Sequence, residues 1–131
     1  MFNYGIPTLR EFNYKVVGKN VNLKSGPSDK NTAVYALSKD TYVQVIAQSN
    51  NWYRVLLPNN KQGFVPKEKV TLIQKGKRLK IKQPVVILSE ANVGAIPLAQ
   101  LQAPAAVEVL ANFENFRFVK TPEGVLGWLP I

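Results

Sequence analysis

The sequence predicts an all-β protein made of two copies of one small unit, and three observations carry that prediction. Apolar and polar residues alternate with the two-residue period of a half-buried strand, most clearly where Val43, Val45 and Ala47 interleave with Tyr42, Gln44, Ile46 and Gln48. Nine prolines and eight glycines are spread among many Val, Leu and Ile residues, which suits short strands and frequent turns rather than long helices. Sliding the 131-residue chain against itself by 64 positions lays residues 21–66 on residues 85–130 without a gap, and 11 of the 46 pairs are identical. The identities include Val43 with Val107, Val55 with Val119, Gly63 with Gly127 and Pro66 with Pro130, and Trp52 meets Phe116 while Phe64 meets Trp128. Two copies are too few for a solenoid and each carries its own turns, so two compact domains in tandem are expected.

Taken in order, residues 9–14 read equally as a turn or a strand. Val21-Asn-Leu23 and Val34-Tyr-Ala-Leu37 read as strands on either side of Ser25-Gly26-Pro27-Ser28-Asp29, a stretch too long for a tight hairpin and rich in loop formers. The strand at 42–48 is broken by Ser49-Asn50-Asn51, restarts over 52–57, turns at Pro58-Asn59-Asn60-Lys61 and resumes at Gly63-Phe-Val65. Residues 67–73 then supply a short turn and a closing strand. The second copy repeats this pattern, with Val107, Val109 and Ala111 alternating against Glu108, Leu110 and Asn112, but it stops at Ile131, the partner of Lys67. The expected divisions are an N-terminal segment at 1–14, a first domain at 15–73, a linker at 74–76 and a second domain at 77–131 without a closing strand. An open sheet edge invites pairing. The segment from Phe2 to Tyr14, with Tyr4, Ile6, Leu9 and Phe12, is expected to cover the second unit's edge, being too apolar for a free tail.

Composition excludes several kinds of chemistry. With no His and no Cys there is no Ser-His or Cys-His nucleophile pair, no disulfide, and no ordinary zinc or haem site, so no cofactor, metal or catalytic residue is expected. Lys24-Ser25 is no Ser-Lys dyad, because neighbours on an extended chain face opposite ways. The carboxylates fall mostly at turns or on polar strand faces, and nothing pairs two of them for acid and base work. Gly63 and Gly127 begin strands rather than phosphate-cradling loops. The longest uncharged run, 91–107, contains Pro97, Gln100, Gln102 and Pro104 and is too short to span a bilayer comfortably, so no membrane span is expected. The first ten residues lack the plan of a signal peptide.

Three motifs then stand in one order: Asn22-Leu23-Lys24-Ser25-Gly26-Pro27-Ser28, Asn51-Trp52-Tyr53-Arg54-Val55 and Gly63-Phe64-Val65-Pro66. In content and spacing they resemble the bacterial SH3 (SH3b) domain over most of residues 16–73. The second copy departs, since Leu88-Ser89-Glu90-Ala91-Asn92 lacks the Gly-Pro turn, and it rests on the repeat and on Asn115-Phe116 and Gly127-Trp128-Leu129-Pro130. The resemblance implies two small SH3-like barrels and a non-enzymatic binding or scaffolding module of exported envelope proteins, often found beside cell-wall hydrolases. It implies a monomer or weak dimer in the periplasm or cell envelope, with a wall peptide or glycan, or another envelope protein, as partner. It also implies a ligand groove built from the first long loop, here Ser25 and Pro27, the aromatic opening the third strand, Trp52 beside Tyr53, and a proline, Pro66. The family's tyrosine position falls on Lys69, and the repeat carries the groove to Phe116 and Pro130. Trp52 lies three positions before a core-facing Val55 and so faces outward on a regular strand. Trp128, next to an inward Leu129, is expected to pack against the other domain.

Seventeen Lys and Arg against eight Asp and Glu give a net charge of +9, and the basic residues are densest at Lys75, Lys77, Arg78, Lys80 and Lys82. The plain reading is a solvated linker entering a strand, with Leu79 and Ile81 inward and Lys80 and Lys82 outward. The rival reading is a patch for nucleic acid or another anionic polymer, although nucleic acid is disfavoured because the run lacks interleaved aromatics. A second rival is a regulatory domain of a larger cell-wall hydrolase.

Overall fold

The computed structural model describes residues 13–131, which divide after Ile73 into two compact all-β units. The first holds β1 (Asn13–Val16), β2 (Val21–Lys24), β3 (Ala33–Leu37), β4 (Tyr42–Ser49), β5 (Trp52–Leu56), β6 (Gln62–Pro66), a 3-10 turn (Lys67–Lys69) and β7 (Val70–Leu72). These strands pair antiparallel in the order β3-β2-β6-β5-β4-β1-β7. The second holds β8 (Lys77–Ile81), β9 (Val85–Leu88), β10 (Pro97–Leu101), β11 (Ala105–Phe113), β12 (Phe116–Lys120) and β13 (Leu126–Pro130), in the order β10-β9-β13-β12-β11-β8.

Strand alternation decides what is buried. In the second unit each of the six strands sends one residue into a single cluster: Ile81, Ile87, Leu101, Val107, Val119 and Leu129. Laid flat, six strands about 4.8 Å apart would hold the two edges about 24 Å from each other. A cluster containing both Ile81 of β8 and Leu101 of β10 therefore requires the sheet to curl into a small barrel. The repeat partners of the last five cluster residues, Leu23, Leu37, Val43, Val55 and Val65, are buried in the first unit, which is likewise a small SH3-like barrel.

The repeat extends to the backbone. Ser25 N–H donates to the Thr32 carbonyl at 2.9 Å, and Ser89 N–H to that of Ile96 at 2.8 Å. Leu57 N–H bonds the Lys61 carbonyl at 2.8 Å, and Thr121 N–H that of Val125 at 2.9 Å. The loop between β4 and β5 turns through Asn50 at φ 53°, its counterpart through Glu114 at φ 51°, and Asn60 at φ 70° matches Gly124 at φ 90°. Asn and Gly adopt this left-handed region with little strain, which explains three of these four turn positions, while Glu114 adopts it with an ordinary side chain. Gly63 and Gly127 share a different constraint: a Cβ on Gly63 would lie 2.7 Å from the Lys24 carbonyl oxygen, and one on Gly127 2.8 Å from that of Leu88. Only a glycine lets β6 and β13 approach β2 and β9 so closely.

The strands depart from simple alternation at register shifts, among them those between Leu23 and Lys24 and between Ile87 and Leu88. Val43, Val45 and Ala47 were expected to share a face, but a register shift between Val45 and Ala47 leaves Ala47 exposed; the corresponding shift between Val109 and Ala111 leaves Ala111 buried. Both are bulges, in which one extra residue bends the strand. Asn13 and Tyr14 belong to β1 of the first unit, which pairs with β4 on one side and β7 on the other. Among the described residues β8 is an edge strand, with no strand in the place that β7 takes beside β1. Residues 1–12, expected to cover that edge, lie outside the described residues.

Candidate functional site

Trp52 opens β5 and lies directly opposite Pro66, the last residue of β6. The two strands pair from Trp52 to Leu56 without a shift, so parity holds along them. Val55 and Tyr53 share the inner face with Gly63 and Val65, while Trp52 and Arg54 share the outer face with Phe64 and Pro66. Pro66, which lacks an N–H, is suited to a strand end, and it caps the 3-10 turn. Lys67 N–H donates to the Asn51 carbonyl at 2.9 Å, clamping the chain after Pro66 beside Trp52. The result is a half-buried indole and a half-buried pyrrolidine ring side by side on the outside of the barrel, flanked by the exposed Arg54 guanidinium, which donates to Gln62 Oε1 at 2.9 Å.

The structure does not gather every residue of the expected groove around this pair. Tyr53 faces the opposite way, at one end of the barrel interior, where its ring lies 5.6 Å from Tyr14 and the Lys67 ammonium stands 5.3 Å over it. Lys67 also donates to Gln48 Oε1 at 2.7 Å. Burial, and then the neighbouring Tyr53, push the Tyr14 phenol above its usual pKa. Ser25 and Pro27, both exposed, leave β2 beyond Lys24, which pairs with Phe64. Since the strands are antiparallel, that loop heads toward the Gly63 end of β6, away from Pro66. Lys69 ends the 3-10 turn three residues beyond Pro66, where its carbonyl accepts Val17 N–H at 2.9 Å and its side chain passes over Gly18.

In the second unit Phe116 lies opposite Pro130 in the register of Trp52 and Pro66, and Ile131 N–H donates to the Asn115 carbonyl at 2.9 Å as Lys67 does to Asn51. The neighbouring outer-face residues differ: Phe118 and Trp128, opposite each other with ring centroids 5.0 Å apart, replace Arg54 and Phe64. Trp128 is buried although it faces away from Leu129 and the core cluster.

The basic run lies along β8, with Leu79 and Ile81 turned to the core and Arg78 and Lys80 turned out. Arg78, Lys80 and Lys82 line a groove there; Lys75 and Lys77 are exposed but are not among its lining residues. Lys120 lines an adjoining groove together with Arg78, which the sequence did not signal because its adjacency depends on the register of three strands. Among the described residues, no three His, Cys, Asp or Glu side chains converge as a metal site would require, and no helix is long and apolar enough to cross a membrane.

Comparison with known proteins bears on the fold. A family model described as the bacterial SH3 domain matches residues 19–71. Among solved structures, NlpC1 from Trichomonas vaginalis aligns over 91% of this chain and 43% of its own, with 17% identity and a TM-score of 0.50. NlpC2 from Trichomonas vaginalis aligns over 91% of this chain and 45% of its own, with 18% identity and a TM-score of 0.49. An NlpC/P60 family protein from Bacillus cereus ATCC 10987 aligns over 89% of this chain and 54% of its own, with 13% identity and a TM-score of 0.32. The chain thus spans less than half the length of the two Trichomonas structures. No curated protein sequence matches it significantly. The NlpC1 likeness concerns the fold, whereas the family match covers both the Trp52 strand and the Pro66 strand, so the part of this chain that is similar to the bacterial SH3 domain is its first unit.

Proposed function

We propose that the chain is a binding module of the bacterial cell envelope, acting outside the cytoplasm, whose first unit holds a wall peptide, a wall glycan or an envelope-protein partner on the face built around Trp52 and Pro66. One observation carries this reading. The Trp52–Pro66 pair is kept on the outer face by an unshifted strand register instead of being folded into the core. Rigid aromatic and proline surfaces of this kind supply contact area at little entropic cost, and Trp is enriched at binding hot spots. The absence of His and Cys supports binding rather than catalysis as the module's task. In this reading any hydrolytic activity belongs to a companion protein or a neighbouring domain, and the module positions it.

The test is co-sedimentation of the full chain with purified peptidoglycan at physiological salt. Retention is expected, and Trp52→Ala should weaken it by about 30-fold, the loss typical of a hot-spot tryptophan. Absence of retention by the unaltered chain would exclude a wall ligand and leave an envelope protein as the partner. Retention unaffected by Trp52→Ala would remove this face from the account.

A further inference from the structure

The outer face of β8, β11 and β12 carries a row of charge that crosses three strands: Arg78 pairs with Glu108, and Glu108 pairs with Lys120. A groove of about 560 Å³ lies along this row, bordered by Gly76, Arg78, Glu108, Lys120 and Pro122. It meets a second groove, of about 580 Å³, through Arg78 and Ala106, and the second is walled by Lys80, Lys82 and Pro104. The small Ala106, opposite Lys80, borders both grooves, so Arg78 and Lys120 line the first and Arg78, Lys80 and Lys82 the second with little bulk between them. Four cations face one carboxylate, and that carboxylate is engaged, since Glu108 Oε2 accepts the Gly76 N–H at 2.7 Å. Among the described residues none of Arg78, Lys80, Lys82 and Lys120 is held in an ion pair.

We infer that these adjoining grooves form a second binding site, in the second unit, for a linear phosphodiester polymer that carries no bases. Residues two apart on a strand repeat about every 7 Å, so Arg78 and Lys80 on β8, with Lys82 just past its end, present cations at a spacing comparable with successive phosphates on an extended phosphodiester chain. Lys120 adds a fourth cation beside Arg78 in the first groove. A nucleic acid fits less well, because no aromatic side chain lines either groove to stack a base. Being in a different unit from Trp52 and Pro66, the site stands or falls independently of the peptidoglycan reading.

The experiment is fluorescence anisotropy of the full chain with a labelled poly(glycerol phosphate) oligomer as the probe, and a single-stranded DNA of equal charge as competitor. With four phosphate contacts and a single-strand slope of about −0.7 per contact, affinity should fall roughly 50-fold between about 50 and 200 mM salt. The double variant Lys80→Glu with Lys120→Glu should lose at least about tenfold, whereas Lys19→Glu with Lys30→Glu, the same change in net charge made on the first unit, should stay within about twofold. Glu108→Gln, which keeps an acceptor for Gly76, should bind about twofold more tightly. Trp52→Ala should leave binding unchanged. Equal losses in the two double variants would reduce the effect to overall charge and overturn the site. DNA that displaces the polymer at equal or lower concentration would overturn the ligand class.

Discussion

Tyr42 illustrates how one half-buried polar group ties sequence to solution behaviour. Its hydroxyl donates to Asn13 Oδ1 at 2.6 Å, and burial pushes its pKa up to about 12. Below about pH 10 the phenol is neutral in both folded and unfolded chains and its contribution to stability is whole; between about pH 10 and 12 the unfolded chain ionises first, so stability falls as pH rises. Tyr42→Phe should cost about 1 kcal/mol near neutrality through the lost hydrogen bond, yet remove this alkaline loss. Urea midpoints at about pH 8 and about pH 11 check it: the unaltered protein should lose more between the two than the variant does. At this scale the sequence was partly legible. The outward Trp52 followed from its distance to Val55, but the enclosure of Tyr53 by Tyr14 and Lys67 did not, because neither neighbour is adjacent in sequence.

Among the elements, the turns are specified as firmly as the strands. Gly124 at φ 90° has nothing within 4 Å of where a Cβ would stand, so any cost of substitution there is conformational and not steric crowding. Gly124→Ala should destabilise the second unit by about 1–2 kcal/mol, the usual penalty for a side chain in the left-handed region. Gly124→Asn should cost less, because Asn60 occupies the matching turn of the first unit at φ 70°. Thermal or urea unfolding of the two variants measures the difference, and equal losses would show that the turn conformation is not what the glycine provides. Strand positions were readable because inward residues recur at every second place from Val43 and from Val107. The bulges were not, since Val45-Ile46-Ala47 and Val109-Leu110-Ala111 are apolar throughout and leave no break in the pattern to mark the extra residue.

For the molecule as a whole, the repeat was the most legible feature, and a 64-residue offset that aligned residues also aligned hydrogen bonds, bulges and left-handed turns. The grooves along β8 were less so, because Lys120 and Glu108 join Arg78 only when β12, β11 and β8 are laid side by side. Edge strands are commonly guarded by lysines, and β8 carries Lys77 and Lys80 among the exposed residues of its edge. Replacing both with Thr should make the full chain associate as its concentration rises, measured by light scattering after size exclusion. A variant that stays monomeric would mean that chain outside residues 13–131 already covers β8. The matched register of Trp52 with Pro66 and of Phe116 with Pro130 has a further consequence. If the Trp52–Pro66 face binds as proposed, a polymer that repeats one epitope many times meets two related aromatic–proline pairs on a single chain. Two individually weak grips on such a target act as one long-lived attachment, since releasing the first leaves the second holding it at high effective concentration. Dwell time on the polymer would then exceed what either grip achieves on a short fragment, and soluble fragments would compete poorly with the intact material.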